Sequence, residues 1–142
     1  METANKIMIT IEGLINAPVE KVWEFWTGPK HITQWNNASD DWHTPVAEND
    51  LRVGGKFLSR MEARDGSFGF DFWGIYDQVD LYQLIEYTMG DGRKAITHFS
   101  REGDKTKVVT SFEAEGTNSV EMQKGGWQAI LNNFKKYAEE NS

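Results

Sequence analysis

Residues 118–139 read NSVEMQKGGWQAILNNFKKYAE, and this stretch decides the fold. Its apolar side chains recur at the three- and four-residue spacing of one helical face, namely Trp127, Ile130, Leu131, Phe134 and Ala138. Asn118 or Ser119 can cap the start of the helix, and Glu121 three residues after Asn118 completes a capping-box pattern. The pattern predicts a long amphipathic helix at the C-terminal end of the chain.

Two features interrupt the apolar face of this helix. Gly125 and Gly126 fall in its first half, where each glycine costs roughly 1 kcal/mol relative to alanine. Gln123 is polar but projects onto the same arc as Trp127. We therefore expect this face to be approached closely by another part of the backbone and to make a polar contact.

The chain upstream of this helix begins with a strand and two short helices. Residues 6–16 alternate apolar and polar side chains, with Ile7, Ile9 and Ile11 on one face. Pro18 and Pro29 each suit the first position of a helix, so two helices follow in tandem. Residues 36–50 are polar and irregular, and we predict a long connection without regular structure there.

The next part of the chain reads as successive strands. Residues 57–62, 68–77, 84–89, 93–101 and 105–115 have strand patterns, separated by the turn dipeptides at 65–66, 91–92 and 103–104. Short connections between neighbouring strands imply an antiparallel meander. The order is a strand, two helices, about five or six strands and a long helix, which is typical of an α+β domain whose sheet curls around the last helix.

Composition limits the class of protein. With 142 residues and no cysteine, we expect one domain, 1–142, in a reducing cytoplasm. The net charge of −7 disfavours nucleic acid and anionic membranes as partners. No apolar run approaches the length of a membrane span, about 20 residues. We expect a monomer or a weak homodimer.

Five segments of the sequence carry a family resemblance. They are APVEKVWEFWT (17–27), ITQW (32–35), DLRVGGKF (50–57), FDFWGIY (70–76) and GWQAILNNFKKY (126–137). With these segments in this order, the sequence resembles the START-like (SRPBCC) superfamily, and within it the branch homologous to the activator of the heat-shock protein 90 ATPase. The resemblance implies a helix-grip (START-like/Bet v-like) fold and, for many relatives, an apolar ligand between sheet and helix.

Small or polar residues interrupt the inward faces of the predicted strands. Ser59, Gly74 and Thr110 each stand between bulky side chains, and Gln123 faces inward from the helix. Either these residues border a cavity, or Ser59 and Thr110 bond to backbone and Gly74 marks a strand bend. The resemblance favours the cavity.

We therefore predict a site for an apolar or amphipathic small molecule, lipid- or polyketide-like, that needs no cofactor. Its apolar lining would be Phe57, Met61, Phe70, Phe72, Tyr76, Tyr87, Trp127 and Ile130. The side chains that orient the ligand would be Ser59, Thr110 and Gln123.

Two alternatives to a binding module stay open. One is an enzyme of the cyclase or hydrolase kind that uses an inward acid or His98, although no motif names a catalytic residue. The other is a chaperone-associated protein-binding domain, but we expect no stimulation of a heat-shock protein 90 ATPase, because a companion chaperone-binding domain is missing. Asp40, Asp41 and His43 lack the spacing of a metal site, so we expect a solvated polar loop there and no metal.

Overall fold

The computed structural model describes residues 7–142, so the start of the predicted first strand at Lys6 lies outside the described residues. The elements in chain order are β1 (Met8–Ile15), α1 (Val19–Thr27), α2 (Pro29–Trp35), β2 (Trp42–Asn49), β3 (Lys56–Ala63), β4 (Gly69–Asp80), β5 (Leu84–Met89), β6 (Lys94–Glu102), β7 (Lys105–Glu113) and α3 (Val120–Asn141). The α+β helix-grip architecture predicted from the sequence is confirmed.

The seven strands form one antiparallel sheet in the order β1-β7-β6-β5-β4-β3-β2. Because β1 joins the sheet beside β7, the first and last strands of the chain are neighbours, and the sheet curls around α3 as a half-barrel. One row of cross-strand partners on the inner face runs Ile11, Thr110, Thr97 and Ile85. The core lies between this face and the three helices.

The two short helices begin at the prolines, as predicted from the sequence. Pro18 precedes α1 in an extended conformation, and Pro29 is the first residue of α2. Trp26 of α1 stacks on Trp35 of α2 with ring centroids 5.3 Å apart, and the edge of each ring meets Phe134 of α3. This aromatic cluster joins the three helices.

The prediction that residues 36–50 lack regular structure was wrong, because β2 lies within them. Within the described part of the chain this strand pairs only with β3, and its pairing register shifts between His43 and Val46, on either side of Pro45. Within β2 only Thr44 is buried. An edge strand that buries so little and contains a proline shows no alternation of apolar and polar residues, and for this reason the sequence did not predict the strand.

The helix α3 begins with a Ser119 cap, whose hydroxyl accepts a hydrogen bond from the backbone N–H of Met122 (3.1 Å). Leu131, Phe134 and Ala138 are buried as predicted. The expectation of a close backbone approach was wrong, since a Cβ built at Gly125 or Gly126 meets no atom within 4 Å. These two glycines therefore face open space.

Side chains of α3 bond to the outward-facing backbone of β1 near its end. Lys135 donates to the Leu14 carbonyl (2.9 Å), and Gln128 donates to a further carbonyl of the strand (3.2 Å). The backbone N–H of Asn16, directly after β1, donates to the Glu139 carboxylate (2.8 Å). These bonds fix the C-terminal half of α3 against the edge of the sheet.

Candidate functional site

A cavity of about 400 Å³ lies between the inner face of the sheet, α2 and α3. The predicted site residues other than Gln123 all line it, namely Phe57, Ser59, Met61, Phe70, Phe72, Tyr76, Tyr87, Thr110, Trp127 and Ile130. Phe70 is 44% exposed, so it lies where the cavity reaches the surface. The structure thus brings together side chains from β3, β4, β5, β7 and α3.

Trp127 forms the helix side of the cavity. Its ring stacks on Phe112 of β7, with centroids 3.8 Å apart and planes 11° apart, and its edge meets Phe72 of β4 at 6.2 Å. The indole therefore bridges two strands that are not adjacent in the sheet. This contact holds the helix above the sheet beside the cavity.

Gly74 makes room for an aromatic ring rather than for the cavity. It is the cross-strand partner of Phe57, and a Cβ built at Gly74 would lie 2.7 Å from that ring. The pairing of β4 with β5 shifts register nearby, between Tyr76 and Gln78. Gly74 does not line the cavity, and its interpretation as a strand bend stays a prediction.

Ser59 and Thr110 are both buried on the cavity wall, and neither bonds to backbone. Within residues 7–142, the Ser59 hydroxyl has no hydrogen-bond partner, although the residue is only 5% exposed. The Thr110 hydroxyl lies 2.8 Å from that of Thr97, the partner opposite it on β6. Only one of the two hydroxyl hydrogens is used in the bond between the two threonines. The other hydrogen can therefore be donated to another acceptor.

Two tyrosines stand side by side on the cavity wall. The Tyr76 hydroxyl donates to the Asn49 side-chain oxygen (2.5 Å), whereas the Tyr87 hydroxyl has no partner in the part of the chain that the structure describes. Burial raises the pKa of both phenols, and the neighbouring Tyr76 raises that of Tyr87 further. Both therefore stay protonated at neutral pH and act as hydrogen-bonding groups.

Gln123 is buried but does not line the cavity. Its amide nitrogen donates to the carbonyls of Glu115 (3.1 Å) and Asn118 (2.8 Å), and its amide oxygen accepts from the Glu115 N–H (2.9 Å). The expected polar contact thus exists, but it ties the first turn of α3 to the chain leaving β7. A ligand-orienting role does not fit this geometry.

Several lining residues were not predicted, and they fall into two groups. The apolar and uncharged polar ones are Ile11, Trp26, Ile32, Trp35, Asn36, Asn49, Ile85, Thr97 and Leu131, and the charged ones are Glu48, Arg93 and Glu115. Alternation along β5 and β6 would have placed Ile85 and Thr97 on the inner face. No sequence signal indicated Arg93.

The charged lining residues are bound to other protein groups or exposed. Arg93 donates to the Asp91 carboxylate (2.8 Å) and to the Glu113 carbonyl (3.1 Å). The Glu115 carboxylate accepts from the backbone N–H groups of Thr117 and Asn118, and the Asn118 bond holds its pKa below the usual range. Glu48 is exposed.

His98, named as a candidate catalytic residue of the enzyme alternative, does not line the cavity. His98 is exposed on the outer face of β6, because its neighbours Thr97 and Phe99 take the inward positions. On the outer face of β3 and β4, Arg60 pairs with Glu62 (2.9 Å) and Asp71 (3.3 Å).

No helix within residues 7–142 combines the length and the apolar composition needed to cross a bilayer. No group of three or more metal-ligating side chains is assembled in the same residues.

Comparison with known proteins places this architecture in a family. Residues 16–139 match the family model described as activator of Hsp90 ATPase homolog 1-like protein. The solution structure of the AHSA1-like protein from Aeromonas hydrophila is 42% identical, with a TM-score of 0.89 over 94% of this chain and 93% of that one. A protein from Cytophaga hutchinsonii is 54% identical, with a TM-score of 0.81 over 94% and 92% of the two chains.

A crystal structure from Chromobacterium violaceum shares the fold at 20% identity, with a TM-score of 0.84 over 94% of this chain and 98% of that one. No curated protein matches the sequence. The family resemblance inferred from the five segments is confirmed: the chain belongs to the activator of Hsp90 ATPase homolog 1-like family, within the START-like group.

Proposed function

We propose that the protein binds an apolar or amphipathic small molecule, lipid- or polyketide-like, in the cavity between the sheet and α3. The observation that carries the proposal is the cavity itself. Its volume of about 400 Å³ falls within the range of small-molecule pockets, and aromatic and aliphatic side chains dominate its lining. A few hydroxyl groups among apolar side chains are the usual means of fixing a ligand's orientation.

The character of the polar groups supports binding rather than acid–base chemistry. The buried polar side chains of the cavity wall are hydroxyl groups, namely Ser59, Thr97, Thr110 and Tyr76. Tyr87 is half-buried, and both tyrosines stay protonated at neutral pH. The carboxylates that border the cavity are exposed or held by backbone N–H groups. The proposed setting is the cytoplasm, with the protein a monomer or weak homodimer.

Titration with an uncharged solvatochromic dye such as Nile red tests the proposal. Saturable binding with a blue shift of the dye's emission is expected for the parent protein. Ile130→Trp should weaken binding, because the larger side chain enters the cavity from α3. Lys136→Trp is the matched control, since Lys136 lies on the exposed face of the same helix. Circular dichroism checks that both variants are folded.

The proposal fails if the parent shows no saturable binding, or if the two tryptophan variants bind the dye equally well. Native mass spectrometry of protein purified from its own host supplies an independent measurement. A bound small molecule that is reduced in the Ile130→Trp protein would support the proposal and give the mass of the ligand.

A further inference from the structure

We infer that the Tyr87 hydroxyl selects the ligand, and that the part of the ligand beside it carries an uncharged acceptor oxygen such as a ketone. The inference rests on the proposed function, because it concerns the same cavity. It goes further by stating which chemical group the site distinguishes and which side chain does so.

The first observation is that Tyr87 is fixed in place while its hydroxyl stays unpaired. The edge of its ring meets Phe57 (centroids 4.7 Å apart, planes at 73°) and Tyr76 (6.4 Å, 89°). Among residues 7–142, no protein group accepts from or donates to the hydroxyl. The residue is half-buried, and a tyrosine hydroxyl withdrawn from bulk water usually finds a partner. A phenol held rigidly at the wall of a cavity is therefore suited to bond to the cavity's occupant.

The second observation is that the buried hydroxyls of the cavity wall offer a donor, whereas the charged acceptors, Glu48 and Glu115, are exposed or bound to backbone N–H groups. The Thr97 and Thr110 pair keeps one hydrogen to donate, and the guanidinium of Arg93 has only donors. The Asn49 side-chain oxygen, an acceptor on the wall, is already bound by Tyr76. A ligand group that accepts hydrogen bonds complements this set better than one that donates them.

The third observation concerns charge. Arg93 borders the cavity, but its guanidinium is already paired with Asp91 at 2.8 Å. Glu115, which is negatively charged, lines the same cavity. A ligand carboxylate would therefore lose its hydration without gaining a free cation, whereas a ketone oxygen costs far less to desolvate. The protein's net charge of −7 also disfavours an anionic ligand.

Three 2-substituted naphthalenes of matched shape test the inference: 2-isopropenylnaphthalene, 2-acetylnaphthalene and 2-naphthoate. Their affinities are measured by displacement of Nile red from the parent, from Tyr87→Phe and from Tyr82→Phe. Tyr82 is the control because it packs on Trp23 and does not line the cavity. For the parent, we expect the ketone to bind roughly three- to tenfold more tightly than the alkene, the value of one net hydrogen bond, and the carboxylate more weakly than the ketone.

The decisive quantity is the affinity ratio of the ketone to the alkene of the same shape. The ratio should fall to about one in Tyr87→Phe and keep its parent value in Tyr82→Phe. A ratio near one in the parent, or an unchanged ratio in Tyr87→Phe, overturns the inference and leaves the proposed function intact. Tightest binding of 2-naphthoate overturns the preference for an uncharged group. If none of the three compounds nor the dye binds the parent, the proposed function itself fails.

Discussion

Replacing Ser59 by leucine distinguishes a usable cavity from a tightly packed core. Ser59 lies on β3 between Phe57 and Met61, opposite Phe72 of β4, and it borders the cavity. Its hydroxyl has no partner in residues 7–142, so its removal breaks no hydrogen bond. Three carbons then replace one oxygen, and at about 0.8 kcal/mol per buried carbon group the gain is about 2 kcal/mol.

The assay is urea and thermal unfolding of the parent and of Ser59→Leu, combined with dye titration. We expect the free energy of unfolding to rise by about 2 kcal/mol, and the midpoint of thermal unfolding by roughly 5–10 °C. Dye affinity should fall, because the new side chain takes part of the volume. The matched control is Ser100→Leu, on the exposed face of β6, where the same change should alter stability by less than about 0.5 kcal/mol.

The reasoning is refuted if Ser59→Leu is destabilised. A full core would be overpacked by the extra carbons and would lose typically about 1–3 kcal/mol. Unchanged dye affinity in a stabilised variant would mean that the dye binds elsewhere.

Two further predictions concern α3. Gly125→Ala and Gly126→Ala should each stabilise the protein by about 0.5–1 kcal/mol in urea unfolding, since no atom lies where the added methyl group would go; a loss of stability would show that these positions are in contact after all. Hydrogen bonds from Lys135 and from the Asn16 N–H hold the pKa of Glu139 below its usual value of 4.5. The ionised Glu139 therefore contributes to stability above pH 4.5, and this contribution is lost as the pH falls through the lowered pKa. Glu139→Gln should therefore be less stable than the parent at pH 7, and the difference should shrink on acidification below pH 4.5; a constant difference from pH 7 to pH 3 would contradict this.

Much of the fold could be predicted because apolar periodicity and turn residues are local signals. The helical spacing from Trp127 to Ala138 and the alternation along β1 each follow from one buried face. The edge strand β2 was missed because it buries so little that its sequence carries no such pattern. Gly125 and Gly126 were misinterpreted for a related reason, since a glycine marks either a close contact or open space, and the sequence does not distinguish the two.

The candidate site was predictable where strand alternation defines the inner face, as it does for Phe57, Ser59 and Met61. It was not predictable where tertiary contacts decide the orientation of a side chain. Gln123 has the helical phase of a cavity residue, yet its amide bonds to the chain that precedes the helix. Arg93 lies just after a turn, and only the folded sheet brings it to the cavity.

The bonds between α3 and β1 have a consequence for self-association. An unpaired sheet edge is a template for strand addition and aggregation. Lys135 and Glu139 occupy backbone groups at one edge of this sheet, and Pro45 lacks the N–H that a new strand would need at the other. Acidification that releases Glu139 would free the backbone N–H of Asn16 at the end of the β1 edge, so the tendency to form fibrils should rise at low pH before the protein is globally unfolded.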